Sequence, residues 1–171
     1  MKSVKKKMSM LLVICMMVSL LSGLGSVSYA AEFAVDTVIE AEAGTLANNM
    51  KKAADASASG GNYITVTTGD RMDTPDDLKT ADAVYEINVS TAAKYGIWMK
   101  VMMESQSSDS FFWKVDDGKY AQKGGPINTK YEWLNIADVE LKQGKHTLSI
   151  VHRENNVKID VLEKKVTEVI S

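Results

Sequence analysis

Cysteine is almost missing from this sequence: its 171 residues hold one, Cys15. A lone thiol forms no internal disulfide, so the fold must be held by its core or by a metal. Histidine is nearly as scarce, at His146 and His152. Neither stands in a Ser–His–Asp arrangement or at metal-ligand spacing, which leaves histidine-based catalysis without its constellation. There is no basic excess, the formal net charge being −2. An acid-leaning surface argues against nucleic acid and anionic membranes as partners. No apolar run reaches the roughly 20 residues that cross a bilayer. Internal repeats, coiled-coil heptads and low-complexity tails are also missing.

What is present begins with an export signal. Lys2, Lys5, Lys6 and Lys7 form a basic start, Met8 to Leu21 an apolar centre, and Ser28-Tyr29-Ala30 a small-x-small cleavage site. Together they predict a secretory signal peptide over 1–30 and a secreted single domain over 31–171. Ile14 precedes Cys15 where a lipidation motif wants a small residue. Beyond the signal, 16 basic residues face 22 acidic ones, a net charge of −6. A domain of this size has room for a real core and is expected to be a monomer.

The rest reads as short strands. Period-two patterning and β-branched or aromatic residues mark 37–44, 62–66, 83–89, 95–103, 111–118, 131–141, 145–152 and 157–163. Ser-, Gly- and Asp-rich breaks separate them, as in ASASGGN, ESQSSDS and KQGK. That spacing predicts an all-β sandwich. Leu46 to Ala56 has room for a helical turn, and Thr67 to Thr80 is the longest polar loop, read as solvated.

The stretch VIEAEAG, Val38 to Gly44, carries two carboxylates on a predicted strand. Glu40 and Glu42 would point to one side, about 7 Å apart, with Ile39, Ala41 and Ala43 inward. Either water or a cation must compensate such a pair. Catalysis by the pair is disfavoured, since the carboxyls of an inverting glycosidase flank the sugar from opposite sides. Later, Val157, Ile159 and Val161 alternate toward the core and send Asp160 to the other face.

Aromatic side chains beside amides can form a platform for a ligand with a flat apolar face and a polar rim. Tyr131 and Trp133 share one strand face, with Tyr131 the more exposed of the two and Trp133 partly buried. Trp113 shares a face with Phe111 and Val115, and serves either as core or as a platform. Trp98 has Lys100 on its own face and serves either in covered packing or as a platform on a concave sheet face. Arg153, Asn155 and Asn156 lie in the loop HRENNV, where the asparagines suit either a ligand or a turn and Arg153 either a carboxylate ligand or an ion pair.

Taken in order, the early EAE, then ASASGGNYI, SDSFFWKVDDG and VELKQGKHTLSIVHRENNVKIDVLE resemble the carbohydrate-binding modules of families six and thirty-five. The resemblance spans Val38 to Glu163. It implies a jelly-roll-like β-sandwich of two antiparallel sheets and a structural calcium ion. Carried over residue by residue, it assigns Glu40, Glu42 and Asp160 to the calcium, with backbone carbonyls completing the shell. It implies a polysaccharide or glycan ligand bound by loops at one end or by a sheet face. The candidates are Tyr131, Trp133, Trp113, Arg153, Asn155 and Asn156. Asn156 stands where lyase-linked relatives have glycine. It further implies a non-catalytic protein that works alone or beside a separate carbohydrate-active enzyme. The competing expectations are a secreted adhesion or protein-interaction sandwich and, more distantly, a small polysaccharide lyase or hydrolase.

Overall fold

A computed structural model describes residues 37–73 and 80–169. All of them fall within the compact unit Ala34–Ser171. The expected signal peptide and much of the acidic part of the Thr67–Thr80 loop lie outside the described residues.

Eleven strands appear among the described residues: β1 Thr37–Glu40, β2 Thr45–Leu46, β3 Met50–Ala54, β4 Asn62–Val66, β5 Ala83–Val89, β6 Ala93–Met102, β7 Ser110–Val115, β8 Ala121–Gly124, β9 Glu132–Leu141, β10 Gly144–His152 and β11 Lys158–Val169. They form two antiparallel sheets, the sandwich the sequence predicts. The larger has the order β3-β4-β11-β6-β9, with β1 also paired to β11, and the smaller has the order β2-β5-β10-β7-β8. The expected helical turn within Leu46–Ala56 is instead β3, because Met50 to Ala54 pairs residue by residue with β4 from Val66 back to Asn62. No transmembrane-length apolar helix occurs among the described residues.

Alternation explains the long strands. On β6, Tyr95, Ile97, Met99 and Val101 are buried while Trp98 and Lys100 are partly exposed on the other face. These residues meet Ile64 and Ile159 of their own sheet and Tyr85, Ile87, Phe111, Leu148 and Ile150 of the other. Each such side chain contributes roughly 1.5–3 kcal/mol on burial, which is how a domain without disulfides is stabilised.

Two local departures shape the site. First, β1 ends at Glu40, and Ala41–Ala43 forms a single 3-10 turn. Glu42 is therefore not on a strand, and Ala43 is exposed rather than inward. The Tyr85 hydroxyl holds this turn by donating to the Ala41 carbonyl at 2.7 Å. Second, β11 bulges against β6 between Ile159 and Val161, leaving Asp160 without a partner in that register. A bulge adds one residue and shifts the alternation by one. Ile159 and Leu162 therefore both enter the core cluster, whereas Val161, expected there, is buried outside it.

Candidate functional site

The bulge re-aims Asp160, which is 0% exposed. Its Oδ1 accepts the Ser59 backbone N–H at 2.8 Å. Its Oδ2 lies 2.9 Å from the Lys100 Nζ across the sheet. Ser59 also donates its hydroxyl to Glu40 Oε1 at 2.8 Å. Ser59 thus ties the β3–β4 loop to both the first and the last strand.

Gly60 completes this arrangement with φ +60°. A Cβ built there would stand 3.8 Å from the Glu40 Cδ and 3.8 Å from Glu42 Oε1, so both glutamates converge on this turn. The outer oxygens, Glu40 Oε2 and Glu42 Oε2, are buried and have no hydrogen-bond partner among the described residues. Unpaired buried carboxylate oxygens are costly and are the groups that calcium selects. The two glutamates therefore fit a hard cation. Asp160 does not join them in a ready cluster: among the described residues no three Asp, Glu, His or Cys side chains gather closely enough to hold a metal. Gly60→Ala is expected to cost about 1 kcal/mol, because the left-handed backbone penalises a Cβ, whereas Gly60→Asn should cost less. Urea unfolding checks the order.

Aromatic side chains and lysines run beside this cluster on the outer face of the larger sheet. Tyr63 and Tyr131 lie with ring centroids 6.2 Å apart. Lys158 sits over Tyr63 and Lys100 over Tyr131, at 5.7 and 5.8 Å from the centroids. Trp133 pairs with Lys100 in the β6–β9 register. Lys165 lies 5.9 Å from the Trp98 ring and 5.7 Å from the Trp133 ring. The exposures reverse the expectation: Trp133 is 45% exposed, while Tyr131 is half-buried. Tyr131 packs inward because its hydroxyl reaches Asp55 Oδ2 at 3.3 Å. Ser57, Lys100, Thr129, Lys130 and Tyr131 line a cavity of about 350 Å³. Burial, and then the Asp55 charge, push the Tyr131 phenol well above its ordinary range, so it stays a neutral donor. Tyr63 and Lys100 are members of this strip that the sequence does not assign to a site, and Trp98, open there to packing or to a platform role, lies in the strip with them. Lys100 and Trp98 were legible as sharing a face, but Tyr63 gave no signal of its own.

No family model matches the chain, and no curated protein matches it. Solved structures do. The family 35 carbohydrate binding module from Clostridium thermocellum superposes with a TM-score of 0.57 at 21% identity, over 76% of this chain and 98% of that one. CBM35 from Paenibacillus barcinonensis gives 0.56 at 18% identity, over 77% and 99%. The fold is that of a family 35 carbohydrate-binding module. The GH26-CBM35 β-(1,4)-mannanase of Podospora anserina gives a TM-score of 0.63 at 16% identity over 80% of this chain, which spans 28% of that enzyme.

In this family 35 fold the other sequence candidates occupy different surroundings. Arg153 donates through Nη1 to Glu154 Oε1 at 2.6 Å and to the Ser110 hydroxyl at 2.8 Å. Glu154 Oε2 accepts the Asp109 N–H at 3.1 Å and the Ser110 hydroxyl at 2.9 Å. Burial pulls the Glu154 carboxyl upward, but these donors and the Arg153 charge outweigh it and hold it below the usual range. Asn155 donates to the Gly69 carbonyl at 2.8 Å. Asn156 has φ +66° and its N–H bonds Val66 at 2.7 Å, so the backbone takes the turn that asparagine tolerates in place of glycine. Arg153, Asn155 and Asn156 thus pin the β10–β11 loop to its neighbours. Trp113 packs against the core from β7 in the smaller sheet. It lies in the sheet opposite Tyr131 and Trp133, because its strand pairs β10 and β8.

Both histidines hold structural pairs. His152 Nδ1 lies 2.7 Å from Asp82 Oδ2, and His146 Nδ1 lies 2.7 Å from Asp116 Oδ2. The Asp82 hydrogen bond raises His152 above 6.5 despite burial. Burial works against Asp82, but the hydrogen bonds from His152 and Asn48 keep it below 3.8. The His152 contribution is complete below pH 6.5 and is lost as pH climbs through its raised native value. The Asp82 contribution is complete above pH 3.8 and is lost as pH falls through its lowered native value. The pair therefore stabilises most between those two values. Melting should be higher at about pH 5.5 than at about pH 9, and the difference should shrink in His152→Gln. An unchanged difference in that variant would show that the pair does not set it.

Proposed function

We propose that the protein is a secreted, non-catalytic carbohydrate-binding module, stabilised by calcium, which binds a polysaccharide or glycan along the outer face of its larger sheet. The observation that carries this is the strip of Tyr63, Tyr131, Trp133 and Trp98 interleaved with Lys158, Lys100 and Lys165, with a cavity at its Tyr131 end. Aromatic faces suit sugar C–H surfaces, and the flanking amines and the Tyr131 hydroxyl suit hydroxyl rims. The aromatic residues of the platform are Tyr131 and Trp133, with Lys100 between them. Arg153, Asn155 and Asn156 support the neighbouring loop.

Calcium would be held by Glu40 and Glu42, by backbone oxygens of the Ser59–Gly60 turn, and by Asp160 once it is released from Lys100. Bound there, the ion supplies charge neutralisation and a tie between β1, the β3–β4 loop and β11. A lyase reading fares worse, since a Tyr131 phenol pushed above its ordinary range is a poor base at neutral pH. The family 35 fold also occurs within the larger mannanase, which supports action beside a carbohydrate-active enzyme. A glycan array read in calcium and in chelator tests the proposal. Binding to one glycan class supports it. Failure to bind any glycan under both conditions overturns it and leaves a protein-binding sandwich.

A further inference from the structure

Lys100 stands between the two halves of the site. Its amine is 2.9 Å from Asp160 Oδ2, and it is 5.8 Å from the centre of the Tyr131 ring. Its side chain lines the cavity beside Tyr131. Asp160 itself is 0% exposed, so water does not neutralise it. The contact with Lys100 is an ion pair without the alignment of a hydrogen bond, since Oδ2 has no such partner among the described residues. By contrast, the buried outer oxygens of Glu40 and Glu42 have no hydrogen-bond partner among the described residues.

We propose that Lys100 is an internal counter-ion which competes with a divalent cation for Asp160, so that the lysine sets how tightly this chain holds calcium. The inference rests on the calcium reading above. The physical reason is charge. A cation touching Asp160 from the Glu40–Glu42 side would lie close to the lysine amine in a poorly solvated place, where like charges repel strongly. Binding must therefore displace the amine from Asp160. The cavity beside Tyr131, which Lys100 already lines, can receive the displaced amine. The cation's affinity is reduced by whatever Lys100 gains from Asp160. Without metal, the lysine keeps the aspartate neutralised and β11 anchored to β6. By linkage, calcium would then add an amine to the cavity, so cation and glycan occupancy are coupled reciprocally.

Isothermal titration of calcium chloride into wild type, Lys100→Met and Lys100→Gln tests this, with melting temperature in calcium and in chelator as a second readout. The glutamine variant keeps a donor toward Asp160 while losing the charge, and so serves if the methionine variant does not fold. Either variant should bind calcium at least about tenfold more tightly than wild type. Its melting temperature should depend more steeply on calcium. In an Asp160→Asn background the Lys100→Met change should no longer alter calcium affinity. Calcium binding by the variants alone also supports the proposal, since the lysine would then have replaced the ion. Equal affinities in wild type and variants overturn it and leave the calcium reading standing. No calcium binding by any of these proteins overturns both.

Discussion

Glu154→Ala is expected to remove about 3 kcal/mol of folding stability, because it breaks a buried charge network from one side. Glu154 is 4% exposed. Its carboxylate accepts from three donors at once, the Arg153 guanidinium, the Asp109 N–H and the Ser110 hydroxyl, and forms an ion pair with Arg71 at 3.4 Å. Alanine would leave Arg153 as a buried cation, and Arg153 Nε already has no hydrogen-bond partner among the described residues. The exposed Asp73 contact at 3.6 Å would replace little of the loss, since surface pairs contribute under about 1 kcal/mol. Glu154→Gln should lose less, because it keeps an acceptor for Asp109 and Ser110. Chemical denaturation of the three proteins measures this. A loss below about 1 kcal/mol for the alanine variant would mean that the β10–β11 loop is not anchored by its carboxylate.

That network also shows where the sequence stopped being legible. HRENNV reads equally as ligand contacts and as a turn, because Arg and Asn supply the same donors to a sugar and to a backbone. What decides between them is the packing of 67–73 and 109–110 against the loop, contacts made over more than 40 residues of sequence, as between Ser110 and Arg153. Strands such as β5 and β6 were plain, since period-two burial is a local property. β3 was not, because MKKAA has little apolar pattern and is a strand only through its pairing with β4. The position of Asp160 off the core face followed from alternation. Its bulge did not, and that bulge moved Leu162 into the core in place of Val161. Glu40 and Glu42 do converge, but through a 3-10 turn rather than along one strand. Tyr131 and Trp133 exchanged exposures because Asp55, distant in sequence, takes the tyrosine hydroxyl.

The second large effect expected is on ligand binding. Tyr131→Ala and Trp133→Ala should each weaken glycan affinity about thirtyfold, near the 2 kcal/mol that marks a dominant aromatic contact. The double variant should fall below detection in a pull-down on insoluble polysaccharide or on the array-selected glycan. Trp133 is the more diagnostic of the pair. At 45% exposed it contributes little to the core, so its loss should leave the melting temperature nearly unchanged while binding drops. Tyr131 is bonded to Asp55 and stacked near Tyr63, so its alanine variant should lose some stability as well. Tyr131→Phe separates the two roles: it keeps the ring face and removes only the contact at 3.3 Å, and should bind within a few-fold of wild type. Trp113→Ala supplies the opposite control, destabilising the fold from the smaller sheet without a direct effect on affinity per folded molecule. If Trp133→Ala binds like wild type while Tyr131→Ala does not, the ligand is confined to the cavity beside Lys100 and Lys130, and the site takes a glycan end rather than a chain laid along the sheet. If both bind like wild type, the strip is not the binding face.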